Sequence, residues 1–137
     1  MIQGYFVEPR RRPFIDGRFR FPGLDNLSVD VRLLVDTGAD RTILSPQDAE
    51  SIGIDITSLP LGAPGSGVGG QAPTRVMEAV LTIGNFSTTL TLPIPETSHP
   101  IPSLPGRDIL AHFALFMEER TQRVLLLEPY EADALHL

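Results

Sequence analysis

Between residues 27 and 33, Leu27, Val29, Val31 and Leu33 alternate with Ser28, Asp30 and Arg32, and the alternation then breaks at Leu34 and Val35. Alternation marks a strand with one wet face, and an unbroken apolar run marks one covered on both faces. One strand therefore passes from the surface into the core, and it ends at Asp36-Thr37-Gly38-Ala39-Asp40. The rest of the chain must cover that strand on both sides and still leave a carboxylate at its tip. Gly38 permits a tight turn there, and Thr37 supplies a short hydroxyl that can bond across the turn or to a second chain.

The remaining pattern is also one of short strands. Phe19 and Phe21 alternate with Arg18 and Arg20, and Pro22-Gly23 with Asp25-Asn26 provides turn residues before the strand that reaches Asp36. Residues 76–83 and 86–94 predict a hairpin around Gly84-Asn85, with Met77, Ala79, Leu81 and Ile83 on one strand facing Phe86, Thr88, Leu90, Leu92 and Ile94 on the other. A short helix is expected after Ser45. That residue caps, Pro46 suits the first helical position, Asp48 brings negative charge to the first turn and Gly53 ends the helix. Ile109, Leu110 and Phe113 have helical spacing, and residues 114–117 and 124–127 read as a last strand pair. With 13 prolines and 12 glycines, the class is mainly β with one or two short helices. Residues 1–16 lack a period and are expected to be a loose terminal segment, residues 93–105 with their five prolines an irregular connection, and residues 128–137 an acidic tail.

The hydrophobic run into Asp36-Thr37-Gly38-Ala39 resembles the active-site motif of the aspartic proteases, and a chain of 137 residues is similar in size to the retropepsin, or retroviral-type, branch. Two further segments strengthen the resemblance. Gly65-Ser66-Gly67-Val68-Gly69-Gly70 sits where that family has its flap, and Leu104-Pro105-Gly106-Arg107-Asp108-Ile109-Leu110 resembles its Gly-Arg-Asn/Asp segment. The similarity extends over residues 17–127, which would form a single-lobe, retropepsin-like barrel domain. The chain departs from the family in Pro105, in a glycine-rich stretch without the Ile-Gly-Gly-Ile-Gly-Gly form, and in an acidic rather than apolar terminal segment.

Hydrolysis of an amide needs one group to take a proton from water and another to give one to the departing atoms, and two carboxylates sharing one proton do both. The sequence has one Asp-Thr-Gly, so the second carboxylate must be Asp36 of another copy. The resemblance thus implies a two-fold homodimer acting as an endopeptidase on an extended peptide. It assigns Asp36, Thr37 and Gly38 to catalysis and Ala39, Asp40, Gly67, Val68, Gly69 and Gly70 to substrate binding. Arg107 and Asp108 become structural support, with Arg107 expected to pair with Asp40 as a partly buried brace. The alternative is a non-catalytic module of the same fold that dimerises or binds peptides, and a third possibility is self-processing that removes residues 1–16.

Other chemistries find no support. There is no cysteine for a disulfide, a thiolate nucleophile or a thiolate metal site, and His99, His112 and His136 have no ligand spacing, so neither metal nor cofactor is expected. Gly-x-Ser-x-Gly is absent, and the glycine-rich stretch lacks the Lys-Ser/Thr of a phosphate loop. A net charge of −6 argues against nucleic acid or an anionic membrane as the main partner, with Arg10-Arg11-Arg12 the only basic cluster, expected to be a solvated segment. No apolar run has membrane-spanning length and residues 1–12 do not read as a secretory signal, so a cytoplasmic location is the default expectation.

Overall fold

The computed structural model describes residues 1–62 and 73–136. Its elements in order are β1 (Ile2–Gln3), β2 (Tyr5–Val7), β3 (Arg12–Phe21), β4 (Leu27–Leu34), α1 (Pro46–Ile52), β5 (Thr74–Ile83), β6 (Phe86–Pro95), the single turn α2 (Arg107–Leu110), β7 (Ala114–Glu118), β8 (Arg123–Leu127) and α3 (Pro129–Ala134). Strand dominates, as the sequence implies.

The ten-residue β3 organises the larger sheet. It pairs antiparallel with β4 over its whole second part, from Phe14 opposite Leu34 to Phe21 opposite Leu27, with β2 at its start and with β5 at Arg18, Phe19 and Arg20. β5 and β6 form the expected hairpin. Ile83 faces Phe86, Leu81 faces Thr88 and Ala79 faces Leu90, and Gly84 takes the left-handed conformation, φ 58°, that the tight turn requires. The smaller sheet has the order β1-β8-β7. Between the two, Ile15, Phe19, Phe21, Leu33, Leu81, Ile83, Leu92, Ile94, Val124 and Leu126 are fully buried, so both sheets share one core.

Three regions differ from expectation. Residues 1–16 are not loose: β1 pairs with β8, β2 pairs with β3, and Phe14 and Ile15 are buried. Strands of two or three residues are too short to show a period, and their partners lie far along the chain. The irregular connection starts later than residue 93, because β6 continues through Pro93 and Pro95. A strand at the end of a sheet tolerates missing N–H donors, and the Pro93 carbonyl still accepts from Leu44 N at 3.1 Å. In the acidic tail, α3 begins at Pro129 with a capping box between Glu128 and Glu131. Helix α1 forms as expected: Ser45 Oγ accepts from Asp48 N at 3.0 Å, and Gly53 terminates it at φ 96°.

Candidate active site

β4 delivers its last residues into a set of cross-chain hydrogen bonds. Leu34 N donates to Ser103 O at 2.9 Å and Val35 N to Pro13 O at 3.0 Å, so both neighbours hold the strand as it ends. Asp36 follows, half-buried, with Thr37 and Gly38 exposed beside it. Its side chain closes the turn: Gly38 N donates to Asp36 Oδ1 at 2.9 Å, and Ala39 N lies 3.4 Å from Asp36 O. The backbone thereby orients one carboxylate oxygen and leaves the group at the surface.

The turn is fastened from behind by the segment around α2. Arg107 N donates to Ala39 O at 2.9 Å, and Asp108 N approaches Asp40 O at 3.4 Å. The Asp108 carboxylate accepts from Thr42 N at 3.1 and 3.2 Å and from Thr42 Oγ1 at 2.8 Å, and Thr42 Oγ1 in turn accepts from Gly106 N at 3.0 Å. Thr42 is 1% exposed. A hydrogen-bonded carboxylate meeting a buried hydroxyl and amide is worth far more than a solvated contact.

Gly106 is required by space, not by conformation. Its φ is an ordinary −90°, but a Cβ there would come within 2.5 Å of the Cα and N of Arg41. The two segments therefore approach backbone to backbone, which Asp108 needs in order to reach Thr42. One step further on, Ile43 and Leu104 exchange hydrogen bonds at 3.0 and 3.1 Å. Ser103 Oγ accepts from Ser45 N at 2.8 Å and donates to Asp48 Oδ2 at 2.6 Å, which ties the same connection to the start of α1.

The expected ion pair is a correction. Arg107 Nη1 and Asp40 Oδ1 are 3.8 Å apart, with the side chains 72% and 86% exposed, so the pair lies in water rather than partly buried. At that separation and exposure it contributes little. The brace comes instead from Asp108 with Thr42 and Gly106, of which Thr42 carries no mark in the sequence. Gly67, Val68, Gly69 and Gly70 lie outside the described residues. The ends of their segment are joined, since Gly62 N donates to Thr74 O at 2.7 Å and Val76 N to Pro60 O at 3.0 Å. Arg75 strengthens this base through Glu96 and through Leu59 O at 2.8 Å. Among the described residues no group of three or more His, Asp or Glu side chains could hold a metal ion. No described helix is long and apolar enough to cross a membrane.

The sequence model of the family described as "Aspartyl protease" matches residues 22–96. Among solved structures, the fold is similar to a retropepsin-like aspartic protease from Rickettsia conorii, with a TM-score of 0.61 and 19% identity over 90% of this chain and 87% of that one. It is also similar to EIAV protease complexed with the inhibitor HBY-793, with a TM-score of 0.54 and 20% identity over 77% of this chain and 90% of that one. At such identities the likeness is one of fold. No curated protein sequence matches the chain significantly.

Proposed function

This chain belongs to the aspartyl protease family and has a retropepsin-like fold, and from that premise we propose that it is an endopeptidase whose active unit is a two-fold homodimer. Each chain supplies one Asp36. Held about 3 Å apart, two carboxylates cannot both ionise, so one accepts a proton from the attacking water while the other donates one to the carbonyl oxygen. Gly38 N, already bound to Asp36 Oδ1, fixes how each carboxylate presents its remaining oxygen.

The observation that carries this reading is the turn itself. A half-exposed carboxylate is held by its own backbone and locked by Asp108, Thr42 and Gly106, an investment in rigidity that a mere turn-capping residue does not need. Thr37 is exposed at the tip, and in this reading it meets its counterpart in the partner chain. In the same reading residues 67–70 close over an extended peptide and Ala39 and Asp40 line its path.

The test is Asp36→Asn, nearly isosteric and unable to exchange the proton. The variant is expected to keep its thermal unfolding midpoint and to lose essentially all cleavage of a mixed peptide library surveyed from acidic to neutral pH. Peptidase activity comparable to the unmutated protein would remove Asp36 from the mechanism.

A further inference from the structure

The smaller sheet hides one face in the core and leaves the other open. Along β8 the buried Val124 and Leu126 alternate with Arg123, Leu125 and Leu127, which face away from the core. Phe116 of β7 lies directly opposite Leu125 and so shares their face. α3 then runs beside the strand, with Tyr130 and Ala134 one helical turn apart. Strand and helix enclose a slot of about 530 Å³, a volume ordinary for a small-molecule site. Phe116, Tyr130 and Leu135 line it while remaining 39%, 68% and 53% exposed. Contiguous apolar surface of this kind, rimmed by polar groups, marks an interaction site.

The slot has two unlike ends. Its floor runs from Arg123 past Leu125 to Leu127, about 14 Å at the rise of an extended strand. The Arg123 guanidinium lies over the Phe116 ring at 5.4 Å, and among the described residues it has no ion pair within 4 Å. Glu118 stands opposite Arg123 in the strand register, but it accepts from the Thr121 hydroxyl and lies 3.6 Å from Arg120. Glu131, the acidic group that lines the slot, is taken up by Glu128 N at 3.0 Å and by the Met1 nitrogen at 2.7 Å. One uncommitted charge is left, positive, at the end of an aliphatic floor.

We propose that this slot binds a free fatty acid, with the carboxylate on Arg123 and the alkyl chain along Leu125 and Leu127 beside α3. The proposal is independent of the protease reading and of Asp36. Removing the alkyl chain from water supplies the affinity, and the guanidinium fork, already laid on Phe116, matches both carboxylate oxygens. A neutral chain of the same length leaves the guanidinium without a partner, and a cationic head is repelled by it. The net charge of −6 works against any anion at long range, so a preference for the carboxylate is local. Glu128, Glu131 and Asp133 along α3 also oppose an anionic bilayer, which favours single molecules as the occupant.

The experiment titrates decanoate, decanol and decyltrimethylammonium, each kept below micelle formation, into the full chain and follows binding by calorimetry. Decanoate is expected to bind about tenfold more tightly than decanol, the low end for hydrogen bonds to a charged group, and the ammonium to bind most weakly. Arg123→Gln should bring decanoate down to the level of decanol. Ala134→Phe, which fills the slot from an exposed helix position, should weaken both. Thermal unfolding shows whether the variants are folded, and if the helix variant is not, Arg123→Gln decides alone. Equal binding of the three probes overturns the proposal, and so does a carboxylate preference that survives Arg123→Gln. An absence of saturable decanoate binding overturns it as well. Adhesion to anionic vesicles would then make the face a membrane surface, and self-association lost in both variants would make it a contact between copies. None of these results bears on cleavage at Asp36, so the protease reading stands or falls separately.

Discussion

Two carboxylates join the Asp36 turn to the segment around α2, Asp108 of that segment on the inner side and Asp40 of the turn on the outer, and only the inner one holds anything. On the inner side Asp108 reaches across 66 positions of sequence to the buried Thr42 and takes three contacts from its amide and hydroxyl. On the outer side Asp40 and Arg107 stand 3.8 Å apart in water. The lesson is that opposite charges adjacent in a motif do not identify a brace; a carboxylate that accepts from buried donors does.

Gly106→Ala should separate the two sides most sharply, because its Cβ would strike the Arg41 backbone and force the inner contact apart. A loss of about 3 kcal/mol in unfolding free energy is expected, measured by denaturant titration, together with loss of peptidase activity. A stability within experimental error of the unmutated chain would show that the two backbones can separate without consequence. Asp108→Ala should follow, with about 2 kcal/mol lost as the Thr42 amide and hydroxyl are left buried without their acceptor. Asp108→Asn, which keeps one acceptor oxygen, should lose less than the alanine variant, and the reverse order would break the argument. Arg107→Ala sits at the other end. Its backbone N–H still reaches Ala39, and the side chain gives up only an exposed pair, so a change within about 0.5 kcal/mol is expected for the dilute single chain. A cost matching Asp108→Ala would restore the outer side as a brace.

These two sides also mark where the sequence could and could not be read. Period-two alternation announced β4 and the β5–β6 hairpin, since each half-buried strand of eight or ten residues writes its burial into the chain. Local capping announced α1 at Ser45 and Gly53. α3 is capped in the same local way, by Pro129 and the reciprocal Glu128 and Glu131. What could not be read was pairing over distance. β1 has two residues and is a strand only because β8 lies beside it, and Thr42 is a polar residue whose importance depends on a partner 66 positions away. Asp36 and Asp108 were legible as types at the right spacing.

The central claim is that one chain holds half of the catalytic pair. It is tested most directly by titrating a fixed amount of unmutated chain with Asp36→Asn chain, after subunit exchange has been demonstrated with labelled protein. At a ninefold excess of the variant, an unmutated chain finds an unmutated partner about one time in ten, so activity should fall to about one-tenth, and simple dilution below the dimer dissociation constant should lower specific activity as well. Activity that stays constant through the titration, with exchange confirmed, would mean that a single chain is catalytically complete and would contradict the shared site.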